Sequence, residues 1–330
     1  MDKSKFIQSS TRLRVLEKEF LKSENFIRIS ETDTLEDALR SLSDTVYNKY
    51  INKLSSPTEY EYILKEELTN FYDELFDISP SKIPVKLLTL KYFYHNLKVL
   101  IKEDIGKKDL KDLYMNIGDF DLKEYKDALL KGSKKNKYFE LITKVEELYE
   151  EKKDPQLIDI YLDNAYFTEL LELAKESKVD LFIKYAKNLI DFTNIRTLLR
   201  AKKQEKSVEF LRSIIIEGGN VREETYFDLL NRDISSDTDA FKKLEIYKYI
   251  KEALDSFKER GNLSDFEREM DNYFIDLIKD VKYITYGPEV VFANALAKEM
   301  EIKNLRIILV SKLNGLDSEF IREKLRDTYV

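Results

Sequence analysis

Apolar residues recur with a helical period along almost the whole chain. Only 8 Gly and 5 Pro interrupt 330 residues, and no stretch shows the sustained alternation of a strand between hairpin turns. Residues 237–258 and 264–284 carry clear apolar stripes, and so do residues 34–53, whose stripe consists of Leu35, Ala38, Leu39, Leu42, Val46 and Tyr50. The sequence therefore predicts an all-α protein with long helices.

The C-terminal part has the sharpest helix signals. Pro288 suits the first position of a helix, and Asn314-Gly315 supplies a left-handed stop after Leu313. These signals predict one helix over 288–313, about 39 Å long at 1.5 Å per residue. Asp317 is then a candidate N-cap for a short final helix over 318–329.

A six-residue motif, Asn-[Leu/Ile]-[Lys/Arg]-x-[Leu/Ile]-[Leu/Ile], begins at Asn96, Asn194 and Asn304. After the first two copies come a short helical stretch, a turn (116–125 and 216–226) and a new helix. Residues 28–39, which follow Leu13, resemble these turns. The repeat predicts three similar lobes, namely 1–105 (N-terminal helix plus first repeat), 106–204, and 205–330 with the C-terminal helix. The leftover chain ends predict that the N-terminal segment lies near the C-terminal lobe.

The basic residue of each motif falls just beyond the apolar stripe of its helix, and the asparagine falls off the other edge. We therefore expect Lys98, Arg196 and Arg306 to border a central polar space where a partner protein docks. The candidate partner-binding residues are Asn96, Lys98, Asn194, Arg196, Arg200, Asn304 and Arg306. The alternative is that each basic residue pairs with an acid of its own lobe.

The position three residues before each asparagine lies on the apolar stripe and is occupied by Phe93, Asp191 or Glu301. A carboxylate at such a site needs a partner. It serves either as a structural ion pair or cap, or as a polar contact that faces a shared central space. Phe93 favours the structural interpretation for the first copy.

Several classes of function lack their usual residues. The chain has no Cys, a single histidine (His95) and neither of the common Gly-rich phosphate loops, so we expect no catalytic site, metal, cofactor or nucleotide. The pair Gly218-Gly219 leaves open a phosphate-binding turn. A net charge of −7, evenly spread, argues against nucleic acid. No apolar run reaches the 18–20 residues of a membrane span and no signal peptide is evident, so we expect an intracellular, soluble chain.

Five segments resemble one protein family across essentially the whole chain. They are "STRLRVLEKEFL", "HNLKVLIK", "NLIDFTNIRTLLRAK", "IIIEGGNV" and, most specific, "YGPEVVFANALAKEMEIKNLRIILVSKLNGLDSEFIREKLRDTYV". This family is the C subunit, called d in eukaryotes, of V-type and archaeal-type (A-type) rotary ATPases. Phe93 departs from the family pattern, in which the position three residues before the asparagine is often acidic.

The resemblance implies a funnel-shaped, all-helical subunit of three lobes with pseudo-threefold symmetry. It implies a non-catalytic part of the central stalk, or rotor, that couples the axle to the membrane proteolipid ring during ion transport or ATP synthesis. The implied partners are axle subunits of D and F type and the proteolipid ring, with the chain peripheral on the cytoplasmic face of the membrane. The alternative is a free-standing cytosolic helical scaffold for protein–protein interaction.

Overall fold

A computed structural model describes residues 1–118, 120–131 and 137–330, and this part of the chain contains helices and no strand, which confirms the all-α prediction. The α-helices are α1 (Ile7–Leu16), α2 (Ser23–Ser30), α3 (Leu35–Arg40), α4 (Asn48–Ile51), α5 (Tyr60–Ile78), α6 (Ile83–Gly106), α7 (Leu122–Lys131), α8 (Lys137–Lys152), α9 (Gln156–Ser177), α10 (Asp180–Lys203), α11 (Val208–Ile214), α12 (Glu223–Leu230), α13 (Asp239–Lys242), α14 (Tyr247–Arg260), α15 (Ser264–Lys279), α16 (Pro288–Leu313) and α17 (Ser318–Lys324). Short 3₁₀ helices occupy Lys3–Phe6, Glu17–Glu19, Pro57–Glu59, Lys111–Leu113 and Asp280–Tyr283.

The chain forms two compact units. The first consists of residues 1–85, 179–181 and 233–330. The second consists of residues 86–178 and 182–232, and so holds most of α6 and α10 together with α7, α8, α9, α11 and α12. The first few residues of α6 and of α10 belong to the first unit.

Helix α16 is the central element of the first unit. It contacts α1, α2, α3, α5, α15 and α17, and 19 of its 26 residues are buried. Burial on every side explains why its sequence lacks one apolar stripe. The alanines Ala293, Ala295 and Ala297 are all buried and leave room for neighbouring helices to approach closely.

The predicted ends of α16 are confirmed. The helix runs from Pro288 to Leu313, and Gly315 has a φ of 67°, in the left-handed region. Asp317 caps α17 by accepting a hydrogen bond from the backbone N–H of Phe320 at 2.8 Å. The final helix is shorter than predicted, because α17 ends at Lys324 and residues 325–330 follow without regular structure.

The predicted helix over residues 34–53 is interrupted between α3 and α4. Ser41, Ser43 and Thr45 direct their hydroxyls to backbone carbonyls three or four residues earlier. Such bonds compete with the regular backbone pattern of a helix. The apolar stripe is real, since Leu39 and Leu42 are buried, but it is divided between two short helices joined by turns.

The two chain ends meet within the first unit, as the sequence predicted. Lys3 forms an ion pair with Glu289 at 2.6 Å near the start of α16. Arg14 donates to the backbone oxygens of Val281 and Ile284 at 2.6 and 2.8 Å. Near the other end of α16, the side chain of Lys312 donates to the backbone oxygen of Thr32 at 2.5 Å.

A buried charge network ties these N-terminal elements to α16. Lys298 is 1 % exposed, and its ammonium lies 2.6 Å from Glu301 and 3.3 Å from Glu67 of α5. Glu301 also accepts from the hydroxyl of Tyr47 at 2.7 Å and from the backbone N–H of Leu21 at 2.6 Å. The network thus joins three separate N-terminal segments to one turn of the C-terminal helix.

The environment of Lys298 keeps it charged. Burial alone would lower the pKa of its ammonium, but Glu301 and Glu67 outweigh that effect, and the pKa is raised. The rings of Phe20 and Phe71 lie 4.8 and 5.2 Å from the ammonium and add cation–π attraction. A buried lysine paired in this way is costly to remove, because its two carboxylates remain behind.

We predict that Lys298→Met lowers the free energy of unfolding of the protein by about 3–5 kcal/mol. The methionine fills similar space but leaves Glu301 buried without a cation and Glu67 with only the partly exposed Lys49, 3.4 Å away. Equilibrium urea unfolding, followed by far-ultraviolet circular dichroism, measures the change.

Two controls define the cause. Lys279→Met removes a lysine whose carboxylate partners are exposed, so it should cost at most about 1 kcal/mol. Adding Glu67→Gln and Glu301→Gln to Lys298→Met should recover stability, because no unpaired charge is then buried. If the triple variant is less stable than Lys298→Met, charge imbalance is not the reason for the loss.

Candidate partner-binding site

The three motif asparagines share one hydrogen-bonding role, which we call the amide clamp. In each, the side-chain amide donates to the backbone oxygen of a later residue and accepts from the backbone N–H of that same residue. The clamped pairs are Asn96 with Met115 (2.8 and 2.9 Å), Asn194 with Ile216 (2.8 and 2.9 Å) and Asn304 with Arg326 (3.0 and 2.8 Å).

The amide clamp accounts for the repeat seen in the sequence. In each copy a long helix is followed by a short one, and the chain then returns in an irregular segment, so its backbone groups need partners. An asparagine side chain offers a donor and an acceptor side by side, as a backbone does. The third clamp involves Arg326, beyond the end of α17, and so engages a backbone that the sequence predicted to be helical.

The clamps also change the interpretation of the asparagines. We expected Asn96, Asn194 and Asn304 to border a central polar space where a partner docks, and each is at most 1 % exposed. Their amides are engaged with backbone, so the asparagines are structural residues. The helical wheel placed them at an edge because it contains only local neighbours, whereas the partner lies 19 or 22 residues downstream.

Asp191, three residues before the second asparagine, holds the turn that follows. Its carboxylate accepts from the backbone N–H groups of Asn220 at 2.9 Å and Val221 at 3.2 Å, and from the amide of Asn220 at 2.7 Å. A Cβ on Gly219 would lie 2.3 Å from this carboxylate, so a glycine is needed there. The turn is therefore a small anion-binding nest whose anion is Asp191.

Burial raises the pKa of Asp191, although hydrogen bonds from Asn220, Val221 and Tyr226 act in the opposite direction. The turn at Gly218-Gly219 thus has an internal anion in place of a phosphate, because the carboxylate of Asp191 accepts hydrogen bonds from the N–H groups of Asn220 and Val221.

The other two copies use different chemistry at the position of Asp191. Phe93 contacts the rings of Phe120 and Tyr125, with centroids 5.4 and 5.8 Å apart, and so holds the following turn by aromatic packing. Glu301 accepts from Leu21 and Tyr47 within the network around Lys298. All three residues have structural partners within their own unit, as the structural interpretation predicts.

The third copy of the motif is completed by the other end of the chain. Leu21 lies two residues before α2 and donates to Glu301, just as Val221 lies two residues before α12 and donates to Asp191. The fourth residue of α2 is Phe26, which is buried like Tyr226 of α12. Residues 28–39, which were predicted to resemble these turns, include a turn followed by α3, but the contacts equivalent to those of Val221 and Tyr226 come from residues 21–26.

The basic residues of the motif differ in their surroundings. Lys98 forms an ion pair with Asp163 of α9 at 2.6 Å. Arg306 makes a two-pronged contact with Glu61 of α5, at 2.8 and 3.1 Å, and both side chains are about half exposed. These contacts explain how a basic residue fits within an apolar run of sequence. Each side chain starts at the edge of the apolar stripe and extends to a carboxylate on a neighbouring helix.

Arg196 and Arg200 line a cleft of about 500 Å³ in the second unit. Its walls come from α9, α10 and α11, and Asp159 and Asp163 of α9 also face it. The rest of the lining is mixed: polar side chains such as Asn164 and Thr197 alternate with apolar ones, which include Ile160, Phe167, Phe210, Ile214 and Ile216. Lys98 belongs to the same arrangement through Asp163, whereas Asn304 and Arg306 are in the other unit.

The sequence analysis missed the acids of this cleft and Lys102, which pairs with Asp159 at 2.7 Å. A usable signal exists, because Lys98 and Lys102 are four residues apart on α6 and Asp159 and Asp163 are four residues apart on α9. Such spacing places each pair on one helix face.

Metal-binding and membrane-spanning features are absent from the part of the chain that the structure describes. Among these residues, no group of three or more His, Cys, Asp or Glu side chains is arranged to hold a metal ion. None of the helices in the same part of the chain combines the length and the apolar character that crossing a membrane requires. His95 is exposed and contacts the backbone oxygen of Leu113 at 2.9 Å.

Comparisons with known proteins agree with one another. Residues 9–324 match the family described as "ATP synthase (C/AC39) subunit". The C subunit of the V-type sodium ATPase of Enterococcus hirae is 27 % identical over 320 residues, which cover 96 % of this chain and 97 % of the relative. The C subunits of the A-type ATP synthases of Methanocaldococcus jannaschii and Desulfurococcus sp. are 22 % and 25 % identical, and the alignments cover 98 % and 95 % of this chain and 87 % and 88 % of the relatives.

We predict that Asn194→Ala lowers the free energy of unfolding by about 2–6 kcal/mol, because it leaves the N–H and C=O of Ile216 buried without partners, at about 1–3 kcal/mol each. Chemical denaturation gives the total. Hydrogen exchange at the Ile216 amide reports the local effect and should become much faster.

The exposed Asn231, also in the second unit, supplies the matched control, and Asn231→Ala should change stability by less than about 0.5 kcal/mol. Equal losses in the two variants would show that the amide clamp contributes nothing specific.

Proposed function

This chain belongs to the family of ATP synthase (C/AC39) subunits, and on that premise we propose that it is the central-stalk component that couples the axle of a V/A-type rotary ATPase to the membrane proteolipid ring. The observation that carries the proposal is the extent of the match, which includes residues 9–324 and nearly the full length of the relatives. Members of this family are non-catalytic structural subunits of a membrane-associated complex. The proposed role of this chain is therefore to transmit force between other subunits.

The internal construction of the chain suits a part that transmits torque. Helix α16 is 26 residues long, and its flanking helices are joined to it by the buried network around Lys298. Backbone hydrogen bonds and a close-packed core resist deformation better than loops do. Force applied at one end of such a helix is carried through its neighbours rather than lost in local bending.

We propose the partners on the same basis. The axle subunits of D and F type are the proposed partners of Lys98, Arg196 and Arg200 in the second unit and of Arg306 in the first, and the proteolipid ring is the other proposed partner. The division into lobes 1–105, 106–204 and 205–330 around a funnel belongs to the same proposal. The chain would then be peripheral, on the cytoplasmic face of the membrane.

The direct test combines co-purification with a measurement of coupling. A tagged chain expressed in its own cells should recover catalytic, axle and proteolipid subunits from detergent-solubilised membranes. Membranes from cells that lack the chain should lose ATP-driven ion uptake, whereas the detached catalytic head should keep its ATP hydrolysis. A coupling subunit behaves this way because its loss disconnects ATP hydrolysis from ion uptake without abolishing ATP hydrolysis.

Two results would contradict the proposal. One is recovery of the tagged chain free in the soluble fraction with none of these subunits, which is the behaviour of a cytosolic scaffold. The other is full ATP-driven ion uptake in membranes without the chain. Re-expression of the unmodified chain is the control that restores uptake.

A further inference from the structure

The central helix of the first unit, α16, reaches the protein surface along one line. Of its 26 residues, all of which the structure describes, only Arg306, Val310 and Leu313 are exposed. These residues follow one another at intervals of four and three, so they lie on one face of the helix. The guanidinium of Arg306 is bound to Glu61. Val310 and Leu313 therefore form the apolar part of this exposed line.

Two more apolar side chains continue this surface beyond the end of α16. Leu316 follows the turn at Asn314-Gly315, and Phe320 lies in α17. We call Val310, Leu313, Leu316 and Phe320 the apolar patch, and each of the four is 38–45 % exposed. A single exposed apolar side chain is ordinary, whereas a group of them on one surface marks an interaction site.

The apolar patch is fixed to the rest of the first unit. The backbone N–H of Leu316 donates to the oxygen of Ser311 at 3.0 Å, which closes the end of α16. The side chain of Lys312 donates to the backbone oxygen of Thr32 and to the hydroxyl of Ser318, the latter at 3.4 Å. These bonds hold the turn against the segment before α3 and the start of α17. The patch is therefore preformed, and force applied to it passes into α16.

The charges around the apolar patch do not favour a membrane surface as its occupant. Residues 317–324 carry three acids and two bases, a net charge of −1. Helices that bind anionic membrane surfaces are instead rich in Lys and Arg on their polar face. The surroundings of the patch thus fit an apolar protein surface better than lipid headgroups.

The area of the apolar patch limits the kind of protein that can occupy it. A large apolar side chain has roughly 150–250 Å² of surface, so four that are each about two-fifths exposed present about 300 Å². A stable interface needs about 800 Å² from each partner. The patch alone is too small to hold a second copy of this chain or a free protein. Its occupant is a protein that other contacts already keep in place, which describes another subunit of the same complex.

The spacing of the exposed line on α16 matches another helix. Side chains three or four residues apart form rows on a helix surface, and these rows pack into the grooves between the rows of a second helix. The line from Arg306 to Leu313 is about 10 Å long at 1.5 Å per residue. That length corresponds to about two turns of a partner helix.

We propose that the apolar patch is the docking site for the apolar face of a helix in another subunit of the same complex. The partner helix carries apolar side chains three or four positions apart over about two turns. The inference rests on the proposed function in that the complex supplies the partner. It adds the surface and the chemistry of the contact, and it places the entry of force at the end of α16.

The first experiment identifies the occupant by its sequence. The photoreactive residue p-benzoylphenylalanine replaces Phe320 in the full-length tagged chain, and the solubilised complex is irradiated and analysed by mass spectrometry. We expect a cross-linked segment of another ATPase subunit with apolar residues three or four positions apart. Capture of lipid, of a second copy of this chain or of a segment without that apolar spacing overturns the proposal. So does the absence of any captured segment in an intact complex.

The second experiment tests the apolar character of the contact. The double variant Leu313→Lys/Leu316→Lys should lower recovery of the captured subunit at least about tenfold, because it would bury two charges against an apolar face. Ile7→Lys/Val15→Lys makes the same change in net charge at two exposed apolar residues of α1, which packs near the start of α16, and should leave recovery unchanged. Circular dichroism and melting temperature establish whether both variants are folded.

A conservative change keeps the test decisive if the lysine variant is unstable. Leu313→Gln/Leu316→Gln removes the apolar contact without adding charge and should also lower recovery, whereas Leu313→Met/Leu316→Met keeps an apolar surface and should retain it. Equal recovery with the glutamine and methionine pairs overturns the docking site while the proposed function stands. Failure of the unmodified chain to recover any ATPase subunit overturns the proposed function and the docking site together.

Discussion

The constraint on which the rest of the structure depends is the need to satisfy irregular backbone inside a helical protein. After each of three long helices the chain returns across that helix in an irregular segment, whose N–H and C=O groups lack the partners that a helix would supply. One asparagine per helix, Asn96, Asn194 or Asn304, supplies both the donor and the acceptor. The clamp fixes where the returning segment crosses, and in the first two copies a new helix, α7 or α12, starts a few residues later.

The position three residues earlier shows that one structural task can be met by different chemistry. Asp191 uses a carboxylate against backbone N–H groups, Phe93 uses aromatic packing, and Glu301 uses a carboxylate that also belongs to the network of Lys298. In the third copy, the contacts that the next helix makes elsewhere come from the N-terminal segment. The buried network thus lies where that segment packs against α16.

The sequence predicted the features that depend on local signals. The helical class, both ends of α16 and the threefold recurrence of the asparagine motif followed from periodicity, Pro288, Gly315 and the motif itself. The burial of the asparagines and the ion pairs of Lys98 and Arg306 did not follow, because their partners are 19 to 245 residues away. Lys298 was missed for a different reason: Glu301, three residues away, had been marked as a carboxylate in need of a partner, but the burial that makes the pair important comes from distant segments such as that of Glu67. Interfaces with other subunits could not be predicted, because they depend equally on the sequences of those subunits.

Hydrogen exchange of the unmodified protein tests the amide clamps most directly. The backbone amides of Met115, Ile216 and Arg326 lie outside helices, yet each donates to a buried asparagine oxygen. All three should exchange about a hundredfold or more slowly than the amide of the exposed Glu217, because exchange requires the clamp to open. Exchange of the three amides at the rate of Glu217 would contradict the account, since it would mean that the asparagines do not hold the returning chain.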